Sequence, residues 1–325
     1  MSMVWVYLLF ILGLVLIIKG GDFFVDASTW IAEISGIPKF IIGATIVSLA
    51  TTLPELLVSC IAAAQNPPNV GIAVGNAVGS VTANTGLIMG ISLICIPSII
   101  KRKQLAFKGS LLILCCLALF AFSFSGKLGL IPSIIILILF GVYIFENVKE
   151  AKNNNEKDTD NYEKPSAKTV WINILKFIFG AAGIVFGADL LVDNGQKIAQ
   201  SLGVSDAIIG VTVIAIGTSL PELVTTITAI AKKQASLSVG NIIGANIIDL
   251  TLIMPLCAVI SGGSLPIDMQ SARLDLPICL LIQSIAIIPA LISQKFKRWQ
   301  GVTLILVYVC YIALVCSGVL KNILY

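Results

Sequence analysis

Long apolar stretches, separated by short polar segments, follow one another along almost the whole chain. Roughly 20 apolar residues are enough to cross a bilayer as a helix, so this pattern predicts ten membrane-spanning helices. The first and sixth stretches exceed that length, and we expect both helices to tilt in the membrane. The predicted helices comprise residues 3–33, 38–65, 70–97, 109–125, 129–148, 169–201, 206–232, 235–261, 275–293 and 299–319.

The composition supports a membrane protein and excludes several other classes. Of the 325 residues, 57% are hydrophobic and 12% are charged, whereas a soluble domain has about 25% charged residues. The chain has no His, which excludes His-based catalysis and His metal ligands. Its eight Cys lie in apolar stretches without metal-ligand spacing, as small buried side chains do. The sequence therefore predicts an all-α polytopic membrane protein that needs no nucleic acid partner.

The basic residues predict how the helices are oriented. Lys and Arg are enriched in cytoplasmic loops. With the N-terminus placed outside, the inner loops hold fifteen Lys and Arg, and the outer loops hold three, Lys127, Arg273 and Lys321. This asymmetry predicts a protein of the cytoplasmic membrane with both termini outside, and it agrees with ten helices.

The chain also consists of two related halves. Gly21–Asp26 resembles Ala188–Asp193 at a separation of 167 residues, and Val74–Gly79 resembles Val239–Gly244 at a separation of 165. Each half has five predicted helices, an odd number, so the second half must insert upside down as an inverted-topology repeat, which is common in secondary transporters. The predicted organisation is a first repeat (1–148), a polar cytoplasmic linker (149–168) and a second inverted repeat (169–325).

The most informative motif occurs once in each half. The sequence Ala-Thr-Thr-Leu-Pro-Glu ends at Glu55, and Gly-Thr-Ser-Leu-Pro-Glu ends at Glu222, each inside an apolar stretch. A carboxylate at membrane depth is costly and usually functional. The alternative, a structural hydrogen bond within the membrane, explains less well why both halves carry the same costly group. We therefore predict that Glu55 and Glu222 meet near the bilayer midplane and bind a cation.

Residues around the two Glu offer further oxygen ligands. Proline has no N–H and crowds the carbonyl four residues earlier, so Pro54 and Pro221 should leave the carbonyls of Ala50 and Gly217 without helical partners. The hydroxyls of Thr51, Thr52, Thr218 and Ser219 lie in the same two motifs. Calcium takes 6–8 hard oxygen ligands, and sodium accepts similar oxygens. Soft ligands are missing from the motifs, which argues against copper or zinc.

A Gly-Asn-x-x-Gly motif follows each Pro-Glu motif, at Gly75–Gly79 and Gly240–Gly244. Small residues spaced by four favour close helix packing. Such packing would bring Ser80, Asn84 and Asp249 to the cation site. Asp249 has a second interpretation, as a protonated hydrogen-bond donor. Asn76 and Asn241 have side-chain oxygens that could bind a cation, but we expect them to form hydrogen bonds between helices instead.

Together these motifs resemble those of the cation/calcium antiporters, and they are most similar to those of prokaryotic sodium/calcium exchangers. The resemblance covers the whole chain. It implies that Glu55 and Glu222 hold calcium together with the backbone oxygens of Thr51 and Thr218. It also implies sodium sites at the side chains of Thr51, Ser80, Thr218 and Ser219, with the backbone oxygens of Ser48 and Ala215. Asn84 and Asp249 would flank the central position, and the first and sixth helices would move to alternate access.

The sequence departs from the family pattern at Ala245, where a Ser is usual, so one hydroxyl ligand and the stoichiometry come into question. The resemblance implies a sodium/calcium antiporter that works as a monomer in the lipid bilayer. It would have no cofactor, with sodium and calcium as transported ions, and it would not be an enzyme. Potassium-dependent or proton-coupled exchange on the same scaffold remains the alternative. A cation channel is disfavoured because an internal inverted repeat indicates alternating access.

Overall fold

A computed structural model describes residues 3–66, 68–97, 102–155, 165–201 and 219–316. Nearly all of these residues are helical. The helices are α1 (Met3–Ser35), α2 (Lys39–Thr51), α3 (Leu53–Ala63), α4 (Ile72–Cys95), α5 (Arg102–Ser123), α6 (Leu130–Asn155), α7 (Ala167–Ser201), α8 (Leu220–Ala231), α9 (Ala235–Ile260), α10 (Ser271–Ser293) and α11 (Arg298–Cys316).

The helices confirm a multi-pass helical membrane protein. Eight helices within the described residues are long and apolar enough to cross a bilayer, and α2 with α3 adds a ninth span if the bent pair is counted as one. The predicted helix at 206–232 lies partly outside the described residues, and α8 is its described part. In α4 and α9, 72% and 83% of the most apolar window is buried, against 22% in α1, α6 and α7. The polar core therefore lies around α4 and α9, and the other three helices face outward.

A short two-stranded sheet, which the sequence did not predict, joins two loops at one end of the bundle. Strands β1 (Lys127–Gly129) and β2 (Ser264–Pro266) pair antiparallel, with Leu128 opposite Leu265. The charge pattern places both loops outside, and their pairing confirms that they lie on the same side.

Contacts between polar loops at the opposite end agree with the same arrangement. Lys39 Nζ donates to Gln234 Oε1 at 3.0 Å, and Lys108 Nζ forms an ion pair with Glu150 Oε2 at 3.0 Å. The charge pattern places all four residues near the inner surface. Their contacts confirm that these segments share one side.

A helix breaks at the first Pro-Glu motif, and another helix begins at the second. Helices α2 and α3 meet at an angle of 47°, and Thr52 between them has φ −85° and ψ −1°. Pro54 lies in the first turn of α3 and Pro221 in the first turn of α8, where a missing N–H is tolerated. The predicted break before Glu55 is therefore confirmed.

Within the described residues, four short π-helical turns interrupt the α-helices, and the sequence did not predict them. They comprise Gly43–Val47 in α2, Asn84–Met89 in α4, Asp249–Ile253 in α9 and Ser271–Asp275 at the start of α10. Such turns are frequent at functional sites. Two of them begin at Asn84 and Asp249, which are predicted site residues.

The close packing predicted for Gly240 and Gly244 is confirmed. A Cβ atom at Gly240 would collide with the carbonyl oxygen of Phe40, and one at Gly244 would lie 2.7 Å from Cα of Ala44. Helix α9 therefore packs directly against the backbone of α2. The first motif differs, because no described atom lies within 4 Å of a Cβ built at Gly75 or Gly79. The predicted packing of these two glycines is thus not found among the described residues.

The two longest helices, α1 and α7, cross at closely packed glycines. A Cβ atom at Gly20 would lie 2.8 Å from the carbonyl oxygen of Gly180, and one at Gly180 would lie 2.6 Å from the backbone nitrogen of Phe24. Their lengths of 33 and 35 residues agree with the predicted long, tilted helices.

The linker predicted at 149–168 is partly helical. Helix α6 continues to Asn155 instead of ending at residue 148, and α7 begins at Ala167. An ion pair between Lys149 and Glu146, three residues apart, supports this extension. Residues 156–164 lie outside the described part of the chain.

Candidate functional site

The two motif carboxylates are buried inside the bundle. Glu55 begins α3 and Glu222 begins α8, and each is 1% exposed. No side-chain oxygen of either residue accepts a hydrogen bond from any described residue. Glu55 is close enough to interact electrostatically with both Glu222 and Asp249. Three carboxyl groups from α3, α8 and α9 therefore meet in one buried region.

Hydroxyl groups from the first half approach the carboxylate of the second half. Thr51 and Thr52 lie beside the Glu222 carboxylate. Their hydroxyls nevertheless donate to the backbone oxygen of Ser48, at 3.3 Å and 2.7 Å. That oxygen also accepts the backbone N–H of Thr52 at 3.0 Å, so three donors surround it. The Ser48 carbonyl is therefore already hydrogen-bonded here, whereas Glu222 is not.

Other predicted ligands lie buried with unpartnered oxygen atoms. Ser80, Asn84, Ser219 and Asp249 are 3%, 1%, 4% and 0% exposed. Within the described residues, the hydroxyls of both Ser, the Asn84 side-chain oxygen and both Asp249 oxygens have no hydrogen-bond partner. A buried polar group without a partner costs roughly 1–3 kcal/mol, and more if it is charged. A cation would give several of these oxygens a partner at once.

Two predicted ligands, Thr218 and Ala215, lie outside the described residues. Ala245, where the family pattern has Ser, is fully buried on α9. It contributes no side-chain oxygen to this region.

Sequence reasoning missed Thr225 and Asn246, and it favoured a hydrogen bond over a ligand role for Asn241. The Thr225 hydroxyl, the side-chain nitrogen of Asn241 and the side-chain oxygen of Asn246 also lack partners within the described part of the chain. Thr85 accepts hydrogen bonds from Asn246 at 2.6 Å and from Gln283 at 2.8 Å. One signal for Asn246 was present in the sequence, because it stands three residues before Asp249.

The donor set is suited to hard cations. Among the described residues, no three side chains of His, Cys, Asp or Glu are grouped so that they could hold a metal on their own. Any cation here must therefore use hydroxyl, amide or backbone oxygens together with the carboxylates. Oxygen-only ligands of this kind suit calcium and other hard cations rather than copper or zinc.

Comparison with known proteins places the chain in a family. The profile of the sodium/calcium exchanger protein family matches residues 5–148 and 172–317. The chain is 34% identical over 311 residues to the uncharacterised membrane protein MJ0091 of Methanocaldococcus jannaschii, which covers 95% of this chain and 97% of that protein. It is 30% identical over 350 residues to the sodium/calcium exchanger MaX1 of Methanosarcina acetivorans, covering 94% and 97%.

The fold matches a solved structure as well. The sodium-calcium exchanger NCX_Mj, soaked with Na⁺ and Sr²⁺, superposes with a TM-score of 0.83 at 30% identity, covering 96% of this chain and 99% of NCX_Mj. Fold and site thus define a helical membrane transporter for cations, a class distinct from enzymes. The chain belongs to the sodium/calcium exchanger family and is a cation/calcium exchanger. Sodium and calcium are the substrates of this family, and neither is a cofactor.

Proposed function

We propose that the protein exchanges sodium for calcium across the cytoplasmic membrane by alternating access. The observation that carries this proposal is the meeting of Glu55 and Glu222, each in the first turn of a helix, both buried and without a described partner. Two carboxylates neutralise one divalent cation. Because an unpaired buried charge is strongly unfavourable, the pair favours a state in which cations occupy the site.

Competition between the two ions couples their fluxes. Calcium is held by Glu55 and Glu222 with the backbone oxygens of Thr51 and Thr218. Sodium uses the side chains of Thr51, Ser80, Thr218 and Ser219 with backbone oxygens of Ser48 and Ala215, and Asn84 and Asp249 flank the centre. Because these ligand sets share residues, calcium and sodium exclude each other. The burial of the described members of both sets supports this assignment.

Ten helices in two inverted repeats are the proposed architecture. Helices α3 and α8 begin at Leu53 and Leu220, and two π-helical turns begin at Asn84 and Asp249. These pairs have the same separations, 167 and 165 residues, as the sequence repeat. The tenth helix corresponds to residues 206–232, of which α8 is the described part.

The two repeats occupy residues 1–148 and 169–325 and have opposite orientations, with the segment 149–168 between them on the cytoplasmic side and both termini outside. A functional monomer is proposed because one chain carries both copies of the ligand motif. Helices α1 and α7 are the proposed moving elements. They are largely exposed on the outer face of the bundle and cross at Gly20 and Gly180.

The test is calcium uptake into proteoliposomes loaded with sodium and diluted into sodium-free buffer. We expect Glu55→Gln and Glu222→Gln each to reduce uptake about 30-fold or more, since losing one partner of a buried charge interaction costs about 2–5 kcal/mol. Glu33→Gln is the matched control, because Glu33 is an exposed Glu paired with Lys39, and its uptake should equal that of the wild type. Uptake that survives both motif substitutions would refute the site.

The same vesicles distinguish the coupling ion. Asp249 is a third carboxyl group beside Glu222, and this observation favours potassium co-transport as the second candidate function. Uptake that requires potassium together with the sodium gradient would support that candidate. A proton gradient that replaces sodium would indicate proton coupling, and uptake indifferent to every gradient would indicate a channel.

A further inference from the structure

The two halves differ in one polar position on α4 and α9, the helices with the largest buried share. Ser80 in the first half corresponds to Ala245 in the second, so the second half lacks a hydroxyl. The next position differs in the opposite sense, because Val81 corresponds to Asn246. Compared with the first half, the second half therefore lacks a side-chain oxygen at one position and has one at the next position.

The Asn246 amide contacts Thr85 through its nitrogen, which donates to the Thr85 hydroxyl oxygen at 2.6 Å. The nitrogen of Gln283 donates to the same hydroxyl oxygen at 2.8 Å and to the carbonyl oxygen of Val81 at 3.3 Å. A carbonyl can only accept, so the Gln283 nitrogen must face Val81. These contacts connect α4, α9 and α10, and the oxygen of Asn246 lies on the side of its amide opposite to Thr85.

The remaining oxygen of Asn246 has no partner. The residue is 0% exposed, and its side-chain oxygen accepts no hydrogen bond from any residue of the described ranges. Asn246 stands three residues before Asp249, and helical residues three apart lie on neighbouring parts of one face. Thr85, its hydrogen-bond partner, directly follows the predicted ligand Asn84. This spacing therefore places Asn246 on the side of α9 that carries Asp249.

We propose that the side-chain oxygen of Asn246 is a sodium ligand that replaces the hydroxyl missing at Ala245, and that Thr85 and Gln283 are its positioning residues. A neutral oxygen adds a ligand without adding charge. It therefore contributes to sodium binding while the calcium site, which depends on Glu55 and Glu222, keeps its two carboxylates. This inference rests on the proposed sodium/calcium exchange and names a further residue of the same site.

The experiment is a titration of the thermal stability of the purified full-length protein with NaCl, at constant ionic strength with choline chloride, and separately with CaCl₂. A ligand that binds only the folded state stabilises it by RT ln(1 + [L]/Kd), so the ion concentration that gives a fixed rise in melting temperature reports the affinity. We expect Asn246→Leu to raise the sodium concentration needed for the same rise about tenfold, as for the loss of one interaction with a charged partner. The corresponding calcium concentration should change by less than about twofold.

Three further variants separate a ligand from a structural residue. Ala245→Ser in the Asn246→Leu background should restore most of the sodium affinity, because it returns the hydroxyl that Ser80 provides in the first half. Thr85→Val should raise the sodium concentration needed for the same stabilisation by a smaller factor, because it removes only the hydrogen bond that positions the Asn246 amide. Asn173→Leu is the matched control, because this Asn lies on α7 and its amide bonds to its own helix at Thr169. It should titrate like the wild type.

Unchanged sodium titration in Asn246→Leu, or equal loss of sodium and calcium affinity without rescue by Ala245→Ser, would overturn the inference. Neither result affects the exchange itself, which proteoliposome uptake measures. A wild-type protein that sodium stabilises but whose calcium uptake ignores a sodium gradient would overturn the exchange and leave the Asn246 ligand intact. A wild-type protein that sodium does not stabilise would overturn both.

Discussion

The two Asn residues of the Gly-Asn-x-x-Gly motifs have similar sequence surroundings and different contacts. Asn76 donates to the backbone oxygen of Glu55 at 3.2 Å and to the Ser59 hydroxyl at 2.9 Å, so it binds the Pro-Glu helix of its own half. Asn241 accepts the Thr51 hydroxyl at 3.3 Å, which belongs to the other half. The prediction that both form hydrogen bonds between helices is confirmed, but the partners are not equivalent.

This difference shows that the two halves make different contacts around the proposed site. If the halves were in equivalent positions, Asn241 would bond to the backbone oxygen of Glu222 and to Thr226, which corresponds to Ser59. Instead, Thr226 accepts a hydrogen bond from Ser238 at 3.3 Å. The proposed alternating access would require a second conformation in which these contacts are exchanged between the halves.

The largest effect is expected at the glycines, whose described contacts also differ between the halves. Gly240→Ala would place a methyl group against the carbonyl of Phe40. Overpacking costs about 1–3 kcal/mol, and contact with rigid backbone belongs at the upper end of that range. Gly75→Ala, the matched change in the first half, meets no described atom within 4 Å and gains up to about 1 kcal/mol of helix propensity. The melting temperature in detergent should therefore fall for Gly240→Ala and should stay the same or rise for Gly75→Ala.

Equal destabilisation by both glycine substitutions would break this comparison. It would mean that another part of the chain packs against Gly75 as closely as α2 packs against Gly240. By the repeat, the counterpart of Gly43 is Gly210, which lies outside the described residues.

A smaller effect is expected at the two Asn residues. Asn76→Leu removes two hydrogen bonds and leaves the Ser59 hydroxyl inside the bundle, so it should lower the free energy of unfolding by about 1–3 kcal/mol. Asn241→Leu removes one longer hydrogen bond and should cost about 0.5–1.5 kcal/mol. Unfolding of the two variants under the same conditions checks the order. A larger loss of unfolding free energy in Asn241→Leu than in Asn76→Leu would contradict the expectation that Asn241 makes the weaker contacts.

The sequence was sufficient for features that follow from local chemistry. Pro54 removes a helical donor wherever it stands, so the break before Glu55 could be predicted. Gly240 and Gly244 mark close packing because any larger residue would collide with α2. The loop charges, read as a set, placed the loops of β1 and β2 on one side, and the strand pairing agrees.

Other features depend on contacts between distant parts of the chain. The sequence motifs around Asn76 and Asn241 are alike, so no local signal could tell that their partners differ. The π-helical turn at Asp249 depends on how α9 packs in the bundle. Asn246 became a candidate ligand only when the structure showed Thr85 holding one side of its amide. The partner of Asp22 and Asp26 also required the structure, because Lys232 lies in the other half of the chain.

Lys232 is the last difference between the halves and should have the smallest effect. It follows α8 and binds α1 at three points: Asp26 Oδ1 at 2.7 Å, Asp22 Oδ1 at 3.3 Å and the backbone oxygen of Asp22 at 2.9 Å. The repeat equates Asp22 and Asp26 with Asp189 and Asp193 on α7, and Lys232 with Gln65. Neither Asp189 nor Asp193 forms an ion pair within the described part of the chain, so the ion pairs anchor α1 and not α7.

The first half has Gln65 at the position that corresponds to Lys232. We expect Lys232→Gln to destabilise α1 around Asp22 and Asp26. The Asp side chains are about half exposed, at 43% and 54%, so the ion pairs should contribute only about 0.2–1 kcal/mol. Hydrogen–deuterium exchange around Asp22–Asp26 should therefore rise by a factor of about two to five, and high salt should produce the same rise in the wild type. Lys233→Gln, at the exposed neighbouring Lys, is the control. The double variant Lys232→Gln/Asp26→Asn tests the ion pair itself. Two paired residues lose their interaction only once, so the rise in exchange should be smaller than the two single effects combined. Fully additive effects would show that the ion pair does not stabilise α1.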